Sequence, residues 1–190
     1  MGRWEPNARE RLELAALELF RERGYDGTTV AEIAERAGLT KRSFFRHFAD
    51  KRELLFSGQE QLTRLIAEAI AAAPTSATPL EAITAALTAL DSIFDDERRV
   101  LARERQAIIA ANVELREREL LKGTVLTTAM AAALRERGDP EPVANLAAEF
   151  GGLALHLAFT RWIEPKAGEA YAKLAHQAVD ELRATAAELG

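Results

Sequence analysis

The sequence contains no cysteine and only three histidines among its 190 residues. Without cysteine the chain cannot form a disulfide framework, a thiolate nucleophile or a cysteine zinc site. The histidines are preceded three positions earlier by Phe44, Leu153 and Lys173, so the Glu-x-x-His pairs of di-iron helical bundles are missing. The sequence also has no His-Glu-x-x-His motif and no phosphate-binding glycine loop. We therefore expect no metal, no cofactor and no enzymatic activity, with a helical-bundle enzyme as the rival hypothesis.

The sequence also lacks runs that alternate between apolar and polar residues, which argues against β-strands. Its most apolar stretch, residues 150–163, carries His156 and Arg161 and is shorter than a typical membrane span. The first residues contain no apolar signal-peptide core. We expect a cytoplasmic protein with no membrane partner.

Helical periodicity instead runs almost from end to end, and hydrophobic residues make up 48% of the chain. Capping-box pairs mark helix starts at Asn7 with Glu10, Thr29 with Glu32, and Asp50 with Glu53. The pattern predicts an all-α protein of about nine helices. The predicted spans are 8–23, 29–37, 41–47, 51–73, 79–95, 97–111, 113–137, 140–163 and 167–188.

Charge is distributed unevenly along the chain, whose net charge is −5. Residues 1–52 carry a net charge of +2. Within residues 38–52 there are five lysines and arginines, and Asp50 is the only acidic residue. A local basic patch of this kind is the electrostatic signature expected of a nucleic-acid contact. We therefore predict a DNA-binding domain over residues 1–52 and an effector-binding and dimerisation domain over residues 53–190.

The stretch from Thr28 to Lys51 predicts a helix, a tight turn at Gly38 and a second short helix. In such a helix-turn-helix, the N-terminal end of the second helix enters the major groove of DNA. The alternative is that the basic residues only solvate a surface helix. Because the basic face of this helix lies opposite an aromatic face, the pattern favours DNA binding. The residues expected to reach bases or phosphates from this helix and its end are Lys41, Arg42, Ser43, Arg46, His47 and Lys51.

Residues 9–55 resemble the DNA-binding domain of the TetR family of bacterial regulators. The matching motifs are Ala-Ala-Leu-Glu-Leu-Phe, Gly24-Tyr25, Thr28-Thr29-Val30, Ile33-Ala34, Ala37-Gly38-Leu39-Thr40-Lys41 and Phe45-Arg-His-Phe48 with Lys51. The resemblance implies a homodimer that binds a double-stranded DNA operator, usually as a repressor released by a small molecule. A ligand-responsive activator remains an alternative, because the sign of regulation depends on the position of the operator.

Carried over by position, the resemblance implies DNA contacts at Thr29, Thr40, Lys41, Arg42, Ser43, Phe45, His47 and Lys51. Many family members have tyrosine where this chain has Phe45. Phenylalanine has no hydroxyl for a phosphate, so we expect Phe45 to make only apolar contacts, for example with a thymine methyl. Basic N-terminal arms in the family suggest that Arg3 reaches a minor groove, with a disordered tail as the equally open alternative.

An effector site is predicted from inward-facing residues of the C-terminal helices. Arg105 shares a helix face with Leu101 and Ile108, where it would hold a carboxylate or phosphate, or else pair with a glutamate as a structural arginine. Residues 97–118 also resemble an actinobacterial TetR subgroup associated with acyl-CoA-like ligands. The predicted ligand site comprises Phe94, Leu101, Arg105, Ile108, Asn112, Leu126, Thr127 and Met130, with ordinary core packing as the alternative.

The last two predicted helices carry apolar residues on more than one side. One side can pack in the subunit and another against a partner, and the family resemblance also places the dimer interface on these helices. The residues predicted at the interface are Leu155, Phe159, Trp162, Leu174, Ala178 and Leu182, the alternative being that they complete one subunit's core. Gly151 and Gly152 predict a close approach between helices, which would offset their low helix propensity.

Overall fold

The structure is a computed structural model that describes residues 7–164 and 168–189. Within these residues it contains ten α-helices, one short 3-10 helix and no strand, which confirms the predicted all-α class. Arg3, the predicted minor-groove contact, lies outside the described residues. The helices are α1 (Ala8–Arg23), α2 (Val30–Arg36), α3 (Lys41–His47), α4 (Glu53–Phe56), α5 (Gln59–Ala72), α6 (Pro79–Ala89), α7 (Asp96–Ala111), α8 (Val113–Glu136), α9 (Glu141–Trp162) and α10 (Tyr171–Glu188).

The chain forms two compact units. The N-terminal unit comprises Met1–Gly58 together with Glu104–Glu117, and the C-terminal unit comprises Gln59–Arg103 and Arg118–Gly190. The predicted division at residue 52 therefore differs from the division of these units. The N-terminal unit includes residues 104–117 because Ile109 of α7 and Leu115 of α8 are fully buried in the same apolar cluster as α1, α2 and α3.

The helix predicted over residues 51–73 is divided at Ser57 and Gly58 into α4 and α5. At this break, arginine side chains donate hydrogen bonds to backbone carbonyls that a continuous helix would pair with backbone N–H groups. Arg105 donates to the Leu55 carbonyl, and Arg9 donates to the Ser57 carbonyl at 3.1 Å. The Ser57 hydroxyl also donates to Glu13 at 2.7 Å. These side-chain contacts satisfy backbone acceptors at the break, so ending α4 leaves little unpaired.

The C-terminal unit has its own core, in which α9 packs closely against α6 and α8. A Cβ atom added at Gly151 would lie 2.8 Å from Ile83 Cγ2, and one added at Gly152 would lie 2.5 Å from Thr127 Cγ2. Neither position has room for a larger side chain. The close helix approach predicted from the two glycines is therefore confirmed, and this packing compensates for their low helix propensity.

Helix α9 is long and apolar enough to cross a membrane by length and composition alone, although only a third of its most apolar window is buried in this chain. Its buried face contains Ala144, Ala148, Ala154, Ala158 and Trp162, which pack in the core of the C-terminal unit. A single helix of this kind is common in the cores of helical proteins.

Candidate nucleic-acid interface

Helices α2 and α3 form a helix-turn-helix whose turn depends on Gly38. This glycine has φ of 66°, a left-handed conformation that residues with a Cβ rarely adopt. The Leu39 N–H donates to the Ala34 carbonyl at 2.8 Å, and the Gly38 N–H donates to the Glu35 carbonyl at 2.9 Å. These bonds end α2 and direct the chain into α3.

One face of α3 is anchored in the core of the N-terminal unit. Phe44 and Phe48 are both buried, and their ring centroids lie 5.6 Å apart. They share an apolar cluster with Leu12, Leu19 and Ile33 from the preceding two helices. Because an α-helix presents residues four apart on the same side, this anchoring turns the opposite side of α3 outward.

Lys41, Arg42 and Arg46 lie exposed on that outward side. Thr40 caps the helix, with its side-chain oxygen accepting from the Ser43 N–H at 3.1 Å. None of the three basic residues forms an ion pair with any carboxylate of the described residues. Two cationic guanidinium groups and one ammonium group are therefore concentrated on one short helix face without local neutralisation.

The other basic residues within positions 7–58 each have a partner. Their pairs are Arg9 with Glu13, Arg11 with the Ala37 carbonyl, Arg21 with Glu104, Arg23 with Glu32, Arg36 with Glu18 and Glu22, Arg52 with Asp50, and Lys51 with two carbonyls. The basic residues of α3 differ from all of them. A helix face that keeps its cations unpaired offers them to an external anion such as a phosphate.

Phe45 is also exposed, with 51% of its surface accessible. The Lys41 ammonium lies 5.9 Å from the centre of its ring. Phe45 thus extends the basic face with a large apolar surface, which agrees with the apolar contact predicted for it but does not identify its target.

Thr29 and His47 have local roles that the sequence pattern did not distinguish from DNA contact. Thr29 caps α2, and its hydroxyl donates to the Glu32 carboxylate at 2.7 Å. This hydrogen bond is the leading cause of the lowered pKa of Glu32. His47 is half-buried, and its Nε2 atom is buried with no hydrogen-bond partner among the described residues. Contact between either residue and DNA stays a prediction.

Lys51 is predicted to contact a phosphate, and that contact stays a prediction, but its ammonium is also bound within the chain. Its ammonium donates to the Tyr25 carbonyl at 2.7 Å and to the Thr28 carbonyl at 3.1 Å. It also lies 4.2 Å from the centre of the Tyr25 ring. The side chain is half-buried and fastens the loop between α1 and α2 to the end of the helix-turn-helix. The structure therefore assigns Lys51 a structural role, because two of its three donors are already bound within the chain.

The eight residues predicted to bind an effector are not brought together within one unit. Three of them belong to the N-terminal unit. Arg105 donates to the Leu55 carbonyl and its guanidinium lies 5.2 Å from the centre of the Phe56 ring, so the structural interpretation of this arginine is the one the structure supports. Ile108 packs against the N-terminal core, and the Asn112 side-chain oxygen accepts from the Leu115 N–H at 3.2 Å.

The other five predicted effector residues lie in the C-terminal unit. Leu126 and Met130 are buried in its core, and Thr127 meets Gly152. Leu101 is half-buried. Phe94 packs against the aromatic rings of Phe159, Trp162 and Tyr171. Core packing, the stated alternative, therefore accounts for Leu126 and Met130.

The predicted dimer residues also lie mainly in the chain's own core. Trp162, Leu174 and Ala178 are buried there, as the alternative of core packing expects. Leu155, Phe159 and Leu182 are half-buried and pack against the same core. Leu155 and Phe159 lie on α9 and Leu182 lies on α10, and a dimer contact at these half-buried residues stays a prediction.

The opposite side of α9 is apolar and exposed. Val143, Leu146 and Leu153 have 45%, 73% and 58% of their surfaces accessible. Phe150 and Leu157 continue the same stripe, although both are half-buried and also pack against the core. These five residues, spaced three or four apart along α9, are called the α9 stripe. The periodicity of the sequence showed both apolar sides of this helix, but it did not distinguish the covered side from the open one.

Comparison with known proteins agrees with the helix-turn-helix. Residues 14–57 match the family model described as bacterial regulatory proteins, tetR family. The chain is 38% identical over 82 residues to the HTH-type transcriptional regulator TcmR of Streptomyces glaucescens, covering 43% of this chain and 36% of that protein. It is 35% identical over 121 residues to the HTH-type transcriptional repressor KstR2 of Rhodococcus jostii, covering 57% of this chain and 59% of the relative.

The matched region thus spans less than two thirds of either relative. Among solved structures, the fold is similar to that of the transcriptional regulator FadR from Bacillus subtilis, solved in complex with stearoyl-CoA. That similarity has a TM-score of 0.59 at 22% identity and covers 90% of this chain and 95% of that one. At this level of identity the likeness concerns the fold.

Proposed function

We propose that the chain is a cytoplasmic, ligand-responsive transcriptional regulator of the tetR family and not an enzyme, which the match of residues 14–57 to that family's model supports. Helix α3 would enter the major groove of a double-stranded DNA operator. The observation that carries this proposal is the unpaired cationic face of Lys41, Arg42 and Arg46, which contrasts with the paired basic residues around it. Binding DNA would not require those three side chains to break an existing ion pair.

The first turns of α3 supply complementary kinds of contact. Arg42 and Arg46 lie one turn apart on the same side, so both can address neighbouring bases or phosphates. Thr40 and Ser43 add hydroxyl groups at the N-terminal end, where backbone amides favour phosphate. The exposed Phe45 adds an apolar surface that suits a thymine methyl.

The DNA proposal is tested by selecting operators from a random DNA pool with the purified protein and then titrating the selected sequence. We expect Arg42→Ala to weaken binding by about 1–3 kcal/mol and to relax base preference. Arg64→Ala is the matched control, because Arg64 is an exposed arginine on α5 in the other unit. Equal affinities for wild type, Arg42→Ala and Arg64→Ala would contradict the placement of α3.

We propose further that the regulator is a homodimer with a two-fold axis and that the α9 stripe forms its interface. A palindromic operator requires two recognition helices about 34–36 Å apart, which a closed dimer supplies. The exposure of the α9 stripe supports this position of the interface. A row of large apolar side chains exposed to water on one long helix is unfavourable in free energy, and such patches mark interaction sites. A palindrome among the selected operators would support the same symmetry.

A small-molecule effector would act on the C-terminal unit. Helices α7 and α8 each contribute residues to both compact units, so a shift of either helix would be transmitted along the chain. We propose that the protein represses transcription and that the effector releases this repression. The position of the operator would distinguish repression from activation. An acyl compound is one candidate effector, since the FadR structure holds stearoyl-CoA, although Arg105 no longer supports an acidic end.

A further inference from the structure

The C-terminal unit contains a cluster of four aromatic rings, Phe94, Phe159, Trp162 and Tyr171, here called the aromatic cluster. The ring of Phe94 lies 5.0 Å from that of Trp162 and 4.5 Å from that of Tyr171, measured between centroids. Trp162 and Tyr171 meet edge to face at 6.3 Å. Tyr171 and Trp162 are fully buried, whereas Phe94 and Phe159 are half-buried and form the outer part of the cluster.

Two buried polar atoms on rings of the aromatic cluster have no hydrogen-bond partner in the part of the chain that the structure describes. They are the indole Nε1 of Trp162 and the phenol oxygen of Tyr171. Buried polar groups are nearly always hydrogen-bonded, because an unmade bond in the interior is destabilising. Two such atoms on adjacent rings call for a common explanation.

Both groups are poised to donate. The indole N–H can only donate. Burial raises the pKa of the Tyr171 phenol far above its usual value, so the hydroxyl keeps its proton under all ordinary conditions. An oxygen acceptor would therefore satisfy both, whereas a cation or a second donor would not.

Phe94, in the outer part of the aromatic cluster, packs against both rings that carry these donors. Phe94 lies outside any helix, in the short connection between the 3-10 helix at Leu90–Ser92 and α7. Its ring is half-buried and touches both Trp162 and Tyr171. A side chain on a short irregular connection can move aside at lower cost than one held in a packed helix.

We propose that Trp162 and Tyr171 form the polar end of the effector site and bind the oxygen of a neutral aromatic carbonyl compound. This inference rests on the proposed function, since it assigns the effector of the same regulator. The ring system of the ligand would take the place of Phe94 beside the remaining aromatic faces. The stability lost to two unsatisfied donors in the free protein would be regained on binding.

The charge around the aromatic cluster favours a neutral ligand over a carboxylate. A cation beside the cluster is Arg99, whose guanidinium lies 5.5 Å from the centre of the Trp162 ring. Arg99 is already held by Asp96 at 2.9 Å and by the Glu169 carbonyl at 3.0 Å. A carboxylate brought against two neutral donors would lose its hydration without gaining a free counter-charge, whereas a ketone loses much less.

The test compares 9-fluorenone with fluorene, which differ by one carbonyl group, using equilibrium dialysis against the full-length protein. We expect the wild type to bind fluorenone at least about fivefold more tightly, the preference that one to two hydrogen bonds provide. Tyr171→Phe should reduce that preference to less than about twofold. Tyr25→Phe is the matched control, because Tyr25 is the only other tyrosine and lies in the N-terminal unit.

Thermal unfolding of the same variants gives a second readout. Tyr171→Phe should unfold at the same or a higher temperature than wild type, because it removes an unsatisfied buried hydroxyl. A purely structural tyrosine, bonded to a trapped water, would instead make the variant less stable and leave the fluorenone preference unchanged. That result would overturn the proposal.

Trp162→Phe provides a further variant that removes the other donor, and it should also lower the fluorenone preference. Equal binding of fluorenone and fluorene by wild type, or tight binding of lauroyl-CoA alone, would overturn the assigned ligand class. Operator binding is measured separately without any ligand. Absence of the carbonyl preference in the wild type with intact operator binding refutes only this inference, whereas absence of operator binding refutes the proposed function.

Discussion

Replacement of Lys51 by alanine separates a structural lysine from a DNA-binding one. The change removes two charge-assisted hydrogen bonds, at 2.7 Å to the Tyr25 carbonyl and 3.1 Å to the Thr28 carbonyl, and the cation–π contact with the Tyr25 ring. Hydrogen bonds to charged groups contribute about 1.5–3 kcal/mol each when well buried. Since Lys51 is only half-buried, we expect a total loss of about 2–3 kcal/mol in the free energy of unfolding.

Urea unfolding followed by circular dichroism measures this loss, and fluorescence anisotropy with the selected operator measures DNA binding under conditions where both proteins remain folded. Lys41→Ala is the matched control, because Lys41 is an exposed lysine on the unpaired face of α3. We expect Lys41→Ala to change stability by less than about 0.5 kcal/mol. It should weaken operator binding and make the dependence on salt shallower, as the loss of one phosphate contact requires.

The reasoning about Lys51 would be refuted by the reverse pattern. If Lys51→Ala unfolds at the wild-type urea concentration but binds all DNA sequences more weakly with a shallower salt dependence, its ammonium contacts phosphate and not the two carbonyls. A change of about 2 kcal/mol in stability would be well outside the uncertainty of the urea method for a chain of this size.

Two further predictions concern the α9 stripe and the cap of α2. Leu153→Glu should shift the protein to monomer in light scattering at micromolar concentration, with unchanged helical content. Phe159→Glu, the comparison variant, should mainly lower the stability of the fold. A dimeric Leu153→Glu variant would place the interface elsewhere. The lowered pKa of Glu32 means that its contribution to stability is present above the ordinary value of 4.5 and is lost as pH falls through the folded-state value. Thr29→Ala, which removes the hydroxyl that lowers this pKa, should therefore make stability less sensitive to acid between about pH 5 and pH 3, and identical acid transitions for the two proteins would count against this assignment.

Local signals in the sequence determined the fold class and the recognition helix. The Thr29 and Glu32 capping box starts α2 where it was predicted, and Thr40 caps α3 as expected. Gly38 takes the left-handed conformation that the turn requires. Such features depend on residues within four positions of one another, and the spacing of Phe44 and Phe48 sets the direction of the basic face in the same way.

Other features depended on partners that are distant in the sequence. The break between α4 and α5 falls at Ser57 and Gly58, where Arg9 and Arg105 bind the carbonyls of residues 57 and 55 from distant positions in the sequence. Lys51 and Arg105 had sequence contexts typical of anion-binding residues. The structure gives each of them carbonyl acceptors within the chain instead.

The covered side of α9 was likewise decided only by tertiary structure. Helical periodicity establishes which residues share a side, and α9 is apolar on both sides. The packing of α6 and α10 covers the side with Trp162 and leaves the side with Leu146 and Leu153 open. Periodicity is a property of one helix, whereas burial depends on which other helices pack against it, so the sequence alone determined the two sides and only the folded core determined their roles.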